Sequence, residues 1–456
     1  MFKKRFKLIT LPLLLSLTAC SLGSDDDPMY EDKTPDDESL TQAEQDNVDL
    51  FEYLQQAYFW NDELPSEINP SAYSSMPEAM YGLRNTDDRF SFVMTNEEYK
   101  DYVASVFFGY GFSHLANDTN DGLVIRYVFD QGSAYLNGLR RGDTITRANG
   151  IDIADVIAGT RTLSEAFGPN TDGYTIDVTF EKPDGTVVET QFSKSEIVAN
   201  TVMASEVKNK PVTDLNNNVS QKNVGYLVFD SFKESSAAEL NTAFSQFSQT
   251  GVDELILDLR YNGGGRISVA QQLSTQIAGD NVRDNNMSNI FVQYVHNDNW
   301  SQYNEAVSFS TASYELDLDR LIVLTSGNSC SASELVINAL MPFIDVVTIG
   351  DETCGKPIGM YPQEINDWTV FAINFQTQNA VGFGDYFDGL PADCAVTETI
   401  VGDWGDEADP LLAEALYYLE NGQCSTAAQA FSKRLKYAPS PKVDFSQGPV
   451  KMRNAL

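Results

Sequence analysis

Apolar and polar positions alternate with four different periods along this chain, and each period predicts a different kind of element. Leu8 to Leu17 is an apolar run behind Lys3, Lys4, Arg5 and Lys7, the charged head and short hydrophobic stretch of a secretory signal, too short to span a bilayer. Residues 23–38 are polar and acidic, with Asp25 to Asp27 and Asp36 to Asp37 in series, and predict a solvated tether. From Leu40 to Trp60 the apolar residues Val48, Leu50, Phe51, Leu54, Ala57 and Tyr58 recur at helical spacing. A second helical stretch, Pro77 to Leu83, precedes Asp87-Asp-Arg-Phe-Ser-Phe92, so a small helical cap is expected there.

Near Tyr102 the period shortens. Gly109-Tyr-Gly-Phe112 leads into an alternating run, Leu123 to Val128, and then into GSAYLNGLRRGDTITRANG at Gly132 to Gly150. A helix is expected over Ile157 to Phe167, then a hairpin of strands Tyr174 to Phe180 and Thr186 to Phe192 around a Pro-Asp-Gly turn. Beyond residue 200 continuous apolar strands alternate with helices: strand Val224 to Phe229, helix Ser236 to Gln249, strand Glu254 to Leu259, helix Ile267 to Ile277, strand Arg320 to Leu324, helix Ser331 to Leu340, strand Val346 to Ile349. Strands of that kind are buried on both faces of an α/β domain, whose functional loops follow the strand C-terminal ends.

Composition narrows the class. Hydrophobic residues at 42% and charged residues at 21% describe a globular protein with a sizeable core. Thirty Lys and Arg against 66 Asp and Glu give a net charge of -36, a surface that repels phosphate backbones, so no nucleic-acid partner is expected. The signal-like segment ends in Leu17-Thr-Ala-Cys20, which resembles the bacterial lipobox, in which cleavage leaves a lipidated cysteine. Ser21 at the next position resembles lipoproteins of the outer membrane, so the expected location is the bacterial cell envelope, anchored through Cys20 and facing the periplasm. That compartment permits disulfides among Cys330, Cys354, Cys394 and Cys424.

The candidate chemistry lies in TSGNSCSASELVINAL, Thr325 to Leu340. Ser331 and Glu334 form a capping box before an apolar run, and a hydroxyl at a helix N-terminus, beside open backbone amides, also suits a nucleophile. Such a serine needs a base. Of the two histidines, His114 follows the Gly109 to Phe112 loop and His296 sits in a polar stretch, and neither has the setting of a triad member. Lys356, in Thr353-Cys-Gly-Lys-Pro357 after the strand VVTIG, can serve if burial holds its amine neutral. Gly350 to Lys356 also matches the first seven positions of a phosphate-binding P-loop, but Pro357 replaces the Ser or Thr that would hold magnesium and no helix follows. Gly263 to Gly265 lacks the third glycine of a dinucleotide site, and Asp118 to Gly122 has its glycine one place too early for an EF-hand. No cofactor or metal is expected.

The Gly109 to Phe112 loop, with RGDTITRANG in register behind it, resembles a PDZ domain. Three further blocks occur in order: Val224 to Phe232, Leu255 to Gly265, and SCSASE paired with TCGKP. Together they resemble the C-terminal processing peptidases, serine peptidases that join a PDZ domain to a crotonase-like α/β core, from about residue 48 to 424. The implied fold class is α/β multi-domain: an N-terminal helical segment, a PDZ-like β-rich domain and a crotonase-like α/β peptidase core. The implied divisions are a signal peptide at 1–19, tether at 20–47, helical subdomain at 48–101, PDZ-like domain at 102–198, peptidase core at 199–424 and tail at 425–456.

By position the resemblance makes Ser331 the nucleophile and Lys356, 25 residues on, its base. Amides of Ala332 and of Gly264 or Gly265 become the oxyanion hole, with Glu334 and Thr353 supporting. Gly109, Tyr110, Gly111 and Phe112 would receive a peptide's C-terminal carboxylate. The family glutamine four residues after the lysine is replaced by Met360, and Gln363 is the nearest substitute. If Ser331 and Lys356 meet, Cys330 and Cys354 lie close enough to pair, leaving Cys394 to Cys424. The implied activity is a periplasmic endopeptidase cleaving exported proteins near unstructured C-terminal tails. The rival reading is a PDZ scaffold on an inactive core, and homo-oligomerisation is left open.

Overall fold

The computed structural model describes residues 40–104, 106–283 and 288–429, so the expected signal segment, Cys20, most of the tether and the tail from 430 lie outside the described residues. The first described helix, Gln42–Ala57, begins ahead of the expected subdomain boundary at 48, because Thr41 and Glu44 form a capping box that starts it.

The core is built on a six-stranded sheet whose order is Val202–Thr213, Val219–Phe229, Glu254–Asp258, Arg320–Thr325, Asp345–Gly350 and Cys394–Ala395. All neighbours are parallel except the first two, a long antiparallel hairpin. The sequence pattern predicts only Val224 to Phe229 of that hairpin. Val202–Thr213 is half-buried for most of its length and Val219 to Asn223 is mostly polar and exposed or half-buried, so no apolar alternation marks them. One face, through Leu227, Leu255, Leu257, Leu321 and Val323, packs on the helices Ser236–Thr250, Ile267–Ala278 and Ala332–Leu340. The other, through Tyr226, Ile256, Ile322, Leu324 and Ile349, packs on the helix Pro410–Asn421. Burial on both faces is why these strands read as unbroken apolar runs.

Glu254–Asp258, Arg320–Thr325 and Asp345–Gly350 are side by side and parallel, so the loops after them, at 259–266, 326–331 and 351–357, emerge together at one sheet edge. The N-terminal helices are no separate cap. Leu50, Leu54, Met76, Met80 and Phe90 share one apolar cluster with Cys330, Cys354, Ile358, Val370 and Ile373.

The region expected to be PDZ-like is a β-rich unit with strands in the order Phe112–Ala116, Leu123–Val128, Thr144–Ala148, Thr175–Glu181 and Val187–Ser193. Phe112–Ala116 lies at the edge, paired on one side only. The helix expected over Ile157 to Phe167 is two short ones, Ile153–Ile157 and Leu163–Phe167. The chain turns at Gly159, whose φ of 76° suits glycine, and restarts at the Thr162–Glu165 capping box.

Candidate active site

Three serines stand in the SCSASE turn, and their neighbours give them different tasks. Ser329 and Ser333 are fully buried; Ser329 Oγ donates to Leu259 O at 2.8 Å and Ser333 Oγ to Asn262 O at 2.9 Å. Both hydroxyls therefore lash the turn to the preceding glycine loop. Ser331, between them, faces a cleft of about 710 Å³ that Lys356 also lines. It adopts φ 56°, ψ −111°, a strained backbone for a non-glycine residue, at the N-cap of Ala332–Leu340.

Glu334 joins the serine turn to the lysine loop. Its carboxyl is fully buried and accepts from four donors: Ser331 N at 2.9 Å, Thr353 Oγ1 at 2.5 Å, Gly355 N at 2.8 Å and Lys356 N at 2.9 Å. Burial raises its pKa, and these donors work against that rise. Thr353 Oγ1 in turn accepts from Leu390 N at 2.7 Å. The capping-box glutamate visible in the sequence thus also sets the position of Lys356, which no local motif announces.

Lys356 is half-buried as a residue and its amine is turned away from solvent, with Nζ 5.2 Å from the centre of the Phe90 ring. No described residue accepts a hydrogen bond from that Nζ. Desolvation pushes its pKa down to about 8, while the carboxylates of Asp88 and Glu334 partly oppose the shift. Sequence reasoning missed Asp88. It is buried, accepts from Tyr58 OH at 2.7 Å and from the amides of Phe90 and Ser91 at 2.9 and 2.8 Å, and so is fixed at a distance from Lys356. The Asp-Asp-Arg-Phe string was the available signal, for Arg89 Nη2 also donates to Cys354 O at 2.9 Å.

The glycine loop closes the site. Asn262 Oδ1 accepts from Gly264 N at 2.9 Å, which takes that amide out of use. The amides of Gly265 and Ala332 donate to no described residue. Gly264 has φ 99°, and a Cβ there would meet Cys330 O at 2.7 Å and Ala332 N at 2.9 Å, so only glycine lets the two loops approach.

The structure separates some of the expected residues. Gln363 is exposed on the strand Gln363–Ile365, donates to Glu364 O at 2.9 Å and does not line the cleft; Met360 does. The reason is topological: residues 363–365 belong to a separate three-stranded sheet with Phe92–Thr95 and Trp368–Phe371. Neither His114 nor His296 lines the cleft. Tyr110 and Phe112 of the GYGF loop are fully buried in the β-rich unit, with Tyr110 OH donating to Phe167 O at 2.8 Å, while Gly109 pairs with Ser195. The Cα atoms of Cys330 and Cys354 lie 5.2 Å apart and those of Cys394 and Cys424 5.5 Å apart, each pair with its sulfurs at bonding distance.

A family model described as peptidase family S41 matches residues 223–382, and one for the peptidase S41 N-terminal domain matches 47–92. The carboxyl-terminal-processing protease of Picosynechococcus sp. is 23% identical over 317 residues, 68% of this chain and 69% of that protein. The carboxy-terminal processing protease CtpA of Bacillus subtilis is 25% identical over 291 residues, 62% of this chain but 55% of that protein. A solved structure from Bacteroides fragilis named as an S41 protease shares the fold, with 24% identity, a TM-score of 0.65 and coverage of 82% of this chain and 97% of that one.

Proposed function

We propose, from the matches of residues 223–382 and 47–92 to models of peptidase family S41, that the protein is a serine endopeptidase that cleaves polypeptides near their C-terminal tails, with Ser331 as nucleophile and Lys356 as general base. The observation that carries this is a lysine with a desolvated amine and no described acceptor at its Nζ, in the same cleft as a strained, cleft-facing serine. Neutral Lys356 Nζ takes the proton as Ser331 Oγ attacks the scissile carbonyl. The oxyanion that forms is met by the amides of Ala332 and Gly265, the positive N-terminus of Ala332–Leu340 adding its field. On collapse the C–N bond breaks, Lys356 returns the proton to the leaving amine, and water then hydrolyses the acyl-serine with the same lysine as base. Glu334 and Thr353 hold the lysine loop throughout.

Under this proposal the GYGF loop takes hold of substrate tails, and export with lipidation at Cys20 places the enzyme in the cell envelope, at the outer membrane facing the periplasm. Among the described residues no helix is long and apolar enough to cross a membrane. The rival reading, an inactive scaffold, draws on Met360 standing where the family glutamine would orient the lysine. One experiment separates the two: incubation with an unfolded protein substrate beside the Ser331→Ala variant. Fragments from the unsubstituted protein alone support the peptidase; none from either supports the scaffold. Membrane fractionation of the Cys20→Ala form tests the anchor, and unchanged membrane association would reject it.

A further inference from the structure

The cleft holds another charged side chain that the chemistry above does not use. Arg126, on the strand Leu123–Val128 of the β-rich unit, lines it together with Ser113, Ser331 and Lys356. Its guanidinium carbon lies 4.1 Å from the centre of the Tyr261 ring, and its Nε is buried with no hydrogen-bond partner. No described carboxylate pairs with Arg126, although the chain has 66 Asp and Glu against 30 Lys and Arg. Arg141, Arg260, Arg283 and Arg320, by contrast, each reach a carboxylate within 3.2 Å. Arg126 is half-buried, and in place of a carboxylate only the Tyr261 ring face offsets the desolvation of its guanidinium.

The other charged residues lining the cleft are Asp230, Arg266 and Lys356. Arg266 is exposed and sits 3.6 Å from Glu234, so it is partly answered already. The Tyr261 ring lies against the Arg126 guanidinium, and a guanidinium held against an aromatic ring can still bind a carboxylate through its N–H groups.

We propose that Arg126 binds a carboxylate of the polypeptide lying in the cleft, and so selects which chains reach Ser331. The carboxylate is the chain's own terminus or an acidic side chain close to the cleaved bond. This rests on reading the cleft as a substrate channel, and it puts a recognition residue from the β-rich unit inside the site, apart from the GYGF loop.

The test reads binding, so it does not depend on turnover. Fluorescently labelled peptides are titrated into the full chain carrying Ser331→Ala, in four forms: terminal acid or amide, each with a penultimate-region Asp or Asn. Replacing the bound carboxylate by its amide weakens binding about tenfold or more, the size of a charge-assisted hydrogen bond. The terminal and side-chain arms show which carboxylate is meant. In Ser331→Ala/Arg126→Gln that ratio falls below about twofold, and Arg126→Lys restores part of it. A ratio that persists without Arg126 overturns the proposal. So does an equal loss for acid and amide peptides, which would make Arg126 only a clamp on Tyr261. Should the glutamine variant fail to fold, the lysine variant is read instead: a ratio lowered but not abolished is expected, and an unchanged ratio overturns the proposal. If the unsubstituted protein cleaves nothing, the peptidase reading fails, while the acid-to-amide binding ratio still decides the role of Arg126.

Discussion

Two desolvated cations, Arg260, fully buried, and Lys356, half-buried with its amine turned inward, follow neighbouring regions of one sheet and have opposite fates. Arg260 is 1% exposed and held by Asp258, through Nε at 2.9 Å and Nη2 at 2.7 Å, and by Asp409, through Nη1 at 2.8 Å. These carboxylates outweigh desolvation and keep it charged. Lys356 has no such partner; Asp88 and Glu334 act on it from a distance, and its pKa comes down to about 8. Burial alone does not decide what a cation does. Pairing makes one structural, and the lack of it makes the other a usable base.

Arg260 also ties the β-rich unit to the core. Arg141 of that unit reaches Asp409 at 3.2 Å and Glu398 at 3.3 Å, sharing both carboxylates with Arg260, and both guanidiniums lie near the Trp404 ring. The chain then runs from Arg260 directly into Asn262 and the glycines of the candidate oxyanion site. A charged, fully paired cluster and an uncharged, reactive corner are thus separated by a few residues of one loop.

The largest expected effect comes from removing the reactive corner itself. Ser331→Ala and Lys356→Ala should each lower kcat/KM by about 10⁴-fold or more, with thermal unfolding little changed. Residual cleavage above that level by Ser331→Ala would move the nucleophile elsewhere. Next is the paired cation. Arg260→Met leaves Asp258 buried without its counter-charge and Asp409 with Arg141 alone, and should cost roughly 3–5 kcal/mol of stability, read as a fall in denaturation midpoint. An unchanged midpoint would mean the cluster is not what holds that charge in place.

A smaller effect tests the unpaired cation through pH. Lys356 must be neutral to take the serine's proton, so activity should rise as pH increases through about 8 and level off above it. Asp88→Asn removes a carboxylate that favours the charged amine, and should move that midpoint toward acid. Met360→Glu puts a carboxylate into the same cleft and should move it toward alkali, by roughly one unit. A midpoint that ignores both substitutions would show that another group limits the rate.

Local patterns made much of this molecule legible. Unbroken apolar runs announced the parallel strands because those strands are covered on both faces, and the Ser331–Glu334 capping box announced the helix it starts. The rest of the Val202–Phe229 hairpin was silent, since strands that are half-buried or exposed carry little apolar period. Gln363 looked near enough in sequence to stand in for a missing partner, yet its strand belongs to a different sheet.

By itself, then, the sequence determined most elements of the core and the candidate serine and lysine. Each of these depends on a residue and its near neighbours. Only the tertiary structure decided which of three serines faces the cleft, that Gly264 spends its amide on Asn262, and that Asp88 and Arg126 arrive from distant segments. Those outcomes depend on which hydrogen-bond partners and charges packing brings within reach. A carboxylate 268 positions away in the chain acts on Lys356 through space, and no local pattern records that distance.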